Sequence, residues 1–190
     1  MGIEVHEGIE LWRPRVFNEW QTMRLNSYFG GAGSNTQQIP ANRMYATYLA
    51  LPRPVTIDRI GASVYEGVES AHLRLGIYRD DNLDTYPESL VLGAGEVEAA
   101  SAGEKAITID LHLPAGIYFL AFVSDGLPRM WLTAEPRWRC PMGQGESIGY
   151  YGNAWQVNTQ AYGPLPDPFP SGALAMNDDW QIAVRVASVG

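Results

Sequence analysis

Residues 71–123, AHLRLGIYRDDNLDTYPESLVLGAGEVEAASAGEKAITIDLHLPAGIYFLAFV, constrain the fold more than any other stretch. Their apolar side chains recur at every second position, where a helix would place them every third or fourth. Leu73, Leu75 and Ile77 fall on one side of the first run and His72, Arg74, Gly76 and Tyr78 on the other, the pattern of a half-buried antiparallel strand. Ile107, Ile109, Leu111 and Leu113 repeat it against Ala106, Thr108, Asp110 and His112. Residues 117–123 are apolar on both sides, which calls for a central strand covered above and below. Between the runs lie clusters rich in Gly, Pro, Asp, Asn and Ser, the chemistry of turns.

Strands are expected on both flanks of this stretch. One run ends near Leu51, ahead of a break at Pro52 and Pro54, and a second covers 55–65. In the second, Val55 and Ile57 have one parity and Ile60, Ala62 and Val64 the other, so a β-bulge at Asp58 and Arg59 is needed to put all five on one face. A strand over 89–98 contains Gly93 and Gly95, marks of a kink or an edge. Met130, Leu132 and Ala134 alternate with Trp131 and Thr133, and Trp180, Ile182, Val184 and Val186 close the chain as a last strand near the middle of a sheet. No helix beyond two turns is indicated. The fold class is all-β: a jelly-roll-like antiparallel sandwich of about eight strands with an extended N-terminal arm. The arm is residues 1–36 and the sandwich 37–190, with GGAGSNTQQ (30–38) reading as a flexible linker. The arm carries Trp12, Phe17, Trp20 and Phe29 but is too short to bury them itself, so they are assigned to contacts with another chain, with packing on the sandwich as the alternative.

With 190 residues the chain can build a sandwich core without staples, since a domain of ~150 residues buries roughly 70% of its unfolded surface. The single Cys140 cannot form an internal disulfide. A net charge of −8 argues against nucleic-acid binding, because phosphate contacts need a basic surface. Lys105 is the only lysine among 13 basic residues, and arginines suit bidentate contacts between subunits. No apolar run approaches the ~18 residues of a membrane span, and acids occupy the amino terminus where a signal peptide has bases. The expectation is a protein made in a cytoplasm and not exported by a signal-peptide route.

The segments ANRMYATYLALPRPVTIDRIGASV, LRLGIYRDDNLDTYPESLVLGAGEV, GEKAITIDLHLPAGIYFLAFVSDG and LPDPFPSG together resemble a module of structural proteins in tailed bacteriophages, found in tail fibres, minor tail proteins and similar appendages. The likeness covers about residues 36–188. It implies a multimeric β-sandwich on a virion surface, without catalytic residues or cofactors.

Asp80, Asn82 and Asp84 have the oxygen spacing that opens a calcium loop, but Thr85 stands where the turn glycine belongs and Val91 where the closing glutamate belongs. Turn geometry is the leading reading of the run, and a bound cation the lesser one. His6, His72 and His112 are too scattered for a metal motif, no serine sits in a nucleophile elbow, and Glu96 with Glu98 reads as a solvated edge. Trp131, Trp138, Tyr150, Tyr151, Trp155 and Tyr162 are the aromatic candidates for interface packing or for stacking on a glycan; most belong to an irregular region, 141–172, expected to carry contacts more than core.

These readings converge on a non-enzymatic phage virion protein, anchored by its arm and assembled with other virion proteins and with copies of itself as a trimer or higher, with neither nucleic acid nor membrane as partner. The alternatives are a capsid-decorating or head-fibre protein, and a carbohydrate-binding module for a host surface glycan.

Overall fold

The computed structural model describes residues 20–21, 34–133, 154–176 and 179–189, and among them there is no helix. The strands are β1 (Trp20–Gln21), β2 (Ser34–Gln38), β3 (Met44–Leu51), β4 (Val55–Glu66), β5 (His72–Arg79), β6 (Ser89–Glu98), β7 (Gly103–Leu113), β8 (Gly116–Ser124), β9 (Arg129–Thr133), β10 (Ala154–Val157), β11 (Leu174–Met176), β12 (Asp179–Trp180) and β13 (Ile182–Val189). All pairings are antiparallel, in one sheet of seven strands and one of six.

Eight consecutive strands make the jelly roll. In the seven-stranded sheet they lie in the order β2-β9-β4-β7, and in the six-stranded sheet β3-β8-β5-β6. Each link from β2 to β9 crosses between sheets except the β5–β6 hairpin, which is how a jelly roll closes two Greek keys over one core. The later strands widen both sheets. β10 and β11 extend the smaller sheet beyond β3, while β13 lies along β4 where β9 has left it, and β12 continues along β9. β9 meets β4 only at Val64 and Glu66.

The bulge expected at Asp58 and Arg59 is present, and it is shared by three strands. Between the inward rows Val186–Ile57–Leu111 and Val184–Ile60–Ile107, one residue intervenes on β13 (Arg185), two on β4 (Asp58 and Arg59) and three on β7 (Thr108, Ile109 and Asp110). The path lengthens towards β7, so the sheet bends there. Val55, Ile57, Ile60, Ala62 and Val64 all reach the core despite their change of parity.

Between the sheets, Leu73, Leu75 and Ile77 meet Tyr118, Leu120 and Phe122 from the smaller sheet and Ile182, Val184 and Val186 from the larger. Tyr45 stacks on Phe122 with centroids 5.2 Å apart, and Trp180 packs tilted on Tyr45 at 5.0 Å. The alternation read from sequence is therefore the partition between inner and outer faces.

Three expectations change, the first being that Ala154–Val157, inside the region 141–172 expected to be irregular, is a strand paired with β3. Ser34–Gln38, which composition marks as linker, is a strand paired in full with Arg129–Thr133. Its ladder uses backbone groups alone, and its all-polar side chains carry no alternation to reveal it. Within the irregular region, residues 158–173 are not only a contact loop. They form a strap across the outer face of the smaller sheet, where Leu165 and Phe169 are buried with Met44, Ala46, Tyr78, Phe119, Ala121 and Val123. This second layer covers β8 on its outer side, and β8 lies between β3 and β5 as its two-sided apolarity requires.

Candidate functional site

Among the described residues, chemistry-bearing side chains gather on the outer face of the smaller sheet, where strap, acidic turn and edge strand meet. Gly76 sets how close the strap comes: a Cβ there would lie 2.4 Å from Leu165 Cδ1 and 2.6 Å from the Leu92 carbonyl oxygen. The strap is held by polar bonds between its ends. Tyr78 donates its hydroxyl to the Pro166 carbonyl and Tyr86 to the Pro170 carbonyl, each at 2.6 Å. Asp167 Oδ1 accepts the Leu90 N–H at 3.1 Å, and Phe169 N–H donates to the Glu88 carbonyl at 2.8 Å.

The aromatic candidates divide. Trp155 is part-buried; its Nε1–H donates to the Thr85 carbonyl at 2.8 Å, and its ring meets Tyr86 edge-on at 4.7 Å. Tyr162 donates its hydroxyl to Glu96 Oε2 at 2.7 Å, under an Arg74 guanidinium that lies 5.3 Å from the ring centre and itself pairs with Glu96 at 3.1 Å. Burial first, and the bonded Glu96 second, hold the Tyr162 phenol well above its ordinary pKa, so it remains a donor. Trp131 sits on the larger sheet, edge-on to Tyr65 at 4.9 Å, and Tyr65 is 48% exposed. Trp138, Tyr150 and Tyr151 lie outside the described residues, as do Trp12, Phe17 and Phe29 of the arm. Trp20 does not: its backbone pairs with Arg185 of the same chain, beside β13.

The run Asp80, Asn82, Asp84 is a turn built from its own carboxylates. Asp80, only 3% exposed, accepts the N–H groups of Asp84 and Thr85 at 3.2 and 2.9 Å, and Asp84 Oδ1 accepts that of Tyr86 at 3.0 Å. Glu88 closes the other side, taking the N–H groups of Asp81 and Asn82 at 2.6 and 2.8 Å. Asn82 gives its side-chain amide to the same carboxylate. These bonds hold Leu83 and Thr85 at φ of 59° and 63°, left-handed backbone that side chains adopt only under such restraint. Among the described residues no three His, Cys, Asp or Glu side chains are grouped to hold a metal ion.

One grouping was not legible in sequence. Ser124, His72 and Asp125 are neighbours, brought together because β5 pairs with β8. Asp125 holds the His72 ring Nδ1 at 3.0 Å and the His72 N–H at 2.6 Å, and its hydrogen bond raises the imidazole pKa. The trio lacks the geometry of a nucleophile and its base: the Ser124 hydroxyl is buried and donates to the backbone carbonyl of His72, not to the ring. Glu96 is bonded to Arg74 and Tyr162, while Glu98 lies opposite His72 on β6. His112 faces Thr56 Oγ1 at 3.5 Å, and His6 and Cys140 lie outside the described residues.

No family model matches the chain, and no curated protein matches it.

Proposed function

We propose that this chain is a non-enzymatic structural protein of a bacteriophage virion, a jelly-roll sandwich carried on the particle surface and anchored by its N-terminal arm. The observation that carries the non-catalytic part is that, among the described residues, candidate acids, a histidine and aromatics are engaged in holding the fold. Asp80, Asp84 and Glu88 hold a turn to which Trp155 donates, Tyr162 ties the strap to Glu96 of β6, and His72 with Asp125 joins β5 to the loop after β8. General acid–base chemistry needs a carboxylate or imidazole free to meet a substrate proton. The phage assignment rests on the sequence resemblance, whose residues LGIY, SLVLGAGEV and LPAGIYFLA fall on β5, β6 and the turn into β8.

A second reading, glycan recognition, is favoured by one feature, the Tyr65–Trp131 pair. Among the described residues it is the aromatic pair left with an exposed ring, beside the Glu66–Arg129 ion pair on the same sheet end, and sugars stack on such rings. Immunogold microscopy of purified particles with antibody to this chain tests the first reading: labelled particle surfaces are expected, and particles bare of label overturn it. Glycan-array binding that is lost in Trp131→Ala transfers the assignment to the second.

A further inference from the structure

We infer that two copies of this chain join edge to edge through β7, antiparallel and centred on Thr108, so that the seven-stranded sheet of one continues into that of the other. β7 has 11 residues and, among the described residues, pairs only with β4. Its exposure alternates without a break: Glu104, Ala106, Thr108, Asp110 and His112 are exposed, while Lys105, Ile107, Ile109 and Leu111 are half-buried. It contains no proline. The other edge on this side of the sandwich is blunted, since β6 has two register shifts against β5, a φ of +110° at Gly95, and Glu96 tied to the strap. Natural sheets protect long free edges with such devices, and β7 carries fewer of them than β6: one register shift against β4, Gly103 at φ +116° where the strand begins, and Lys105 on the inward parity. Half-buried Val91, Val97, Ile107, Ile109 and Leu111 pack against the core along the same side, an apolar seam beside that open backbone.

The strand's own sequence selects the partner and the register. Two copies related by a twofold axis through the sheet keep their inner faces together only if opposed residues share parity, because side chains alternate. Centring on Ile107 sets Glu104 against Asp110, two acids face to face. Centring on Ile109 sets Ala106 against His112 and Thr108 against Asp110, with no charge complement. Centring on Thr108 sets Glu104 against His112 twice, Ile107 against Ile109 twice, and Thr108 against itself. Opposed threonines stabilise antiparallel strands, a glutamate carboxylate can accept a hydrogen bond from an opposed histidine N–H, and opposed like charges destabilise the pairing.

The test uses the full chain. Sedimentation should give a concentration-dependent dimer contact that Thr108→Lys weakens by about fivefold or more, through two ammonium groups on the axis, while circular dichroism keeps the β spectrum. His112→Glu should weaken it likewise by facing Glu104 with a second carboxylate, and Glu104→Lys added to His112→Glu should restore it. In a Cys140→Ser background, T108C should form a disulfide dimer under mild oxidation, because opposed Cα atoms in an antiparallel pair lie within disulfide reach. A106C, opposite Asp110, should not. A chain that stays monomeric at every concentration, an association unmoved by Thr108→Lys, or cross-linking of A106C as readily as T108C overturns the inference; assembly through the arm alone leaves T108C unlinked and overturns it too.

Discussion

Arg185 donates Nε–H to Asp58 Oδ1 at 2.8 Å and a second bond to Oδ2, a two-point clasp across the bulge that bends the larger sheet. Those hydrogen bonds, more than any other cause, hold the Asp58 carboxyl below the usual carboxylate pKa. His72 is shifted the other way, upward, chiefly by its bond to Asp125. The two therefore contribute stability in opposite pH windows. Asp58 contributes fully above its unfolded pKa of ~3.9, and the contribution is lost as pH falls through the lower folded value. His72 contributes fully below its unfolded pKa of ~6.5, and that contribution is lost as pH rises through the higher folded value. Denaturant unfolding across the acid and neutral range should show both limbs in the natural chain. Asp58→Asn should flatten the acid limb, and Asp125→Asn should remove the decline on the alkaline side of the histidine. Unchanged profiles in both variants would refute these assignments. At this scale the sequence was partly legible. The parity change from Ile57 to Ile60 demanded a bulge at Asp58 and Arg59, but nothing local to β4 pointed to Arg185, a partner 127 residues away.

Among elements, β8 announces itself because both of its faces are apolar, and the sandwich interior can cover only one of them. What covers the other was not legible. Leu165 and Phe169 stand among Pro164, Pro166, Pro168 and Pro170 with neither helical nor strand period, and their placement depends on tyrosine hydroxyls bonding to distant carbonyls. Distant partners also explain why the aromatic candidates divided: composition marks Trp155 and Tyr162 as surface-type residues, whereas Trp155 bonds to the Thr85 carbonyl and Tyr162 to Glu96. β2 was missed for the opposite reason, because a strand of five polar residues shows its identity only through its backbone partners. Phe169 closes the strap over Tyr78 and Tyr86, edge-on to both at 5.0 and 5.8 Å. Phe169→Ala should cost about 3–5 kcal/mol by denaturant unfolding, the usual loss for emptying a buried phenylalanine site. Leu83→Ala, at the tip of the acidic turn and 76% exposed, should stay within about 0.5 kcal/mol. If the two variants were equally stable, the strap would be an ornament on the sheet and not its second core.

The whole molecule is wired mostly by distant pairings. Ser34 lies opposite Thr133 and Val55 opposite Val189, whereas the β5–β6 hairpin, with Arg79 opposite Ser89, is the one sequential pairing kept within a sheet of the jelly roll. Closing a long loop costs entropy before the contacts at its ends reward it, so a fold of this wiring should form slowly, on the millisecond-to-second scale of β-sandwiches. The order within that process follows from the same cost. The hairpin, with β8 added beside β5, closes the shorter loops and should be structured in the transition state, while β13 can dock on β4 only after a loop as long as the 127 residues between Asp58 and Arg185 has closed. Ile77→Val, in β5, and Val184→Ala, in β13, each remove methyl groups from the same inter-sheet core. Ile77→Val should cost about 0.5–1.5 kcal/mol and Val184→Ala about 1–3 kcal/mol, values large enough for kinetic analysis. In stopped-flow chevrons Ile77→Val should act mainly by slowing folding, and Val184→Ala mainly by speeding unfolding. If Val184→Ala slows folding by its full share, the pairing of β13 with β4 forms early, and the hairpin is not where this sandwich begins.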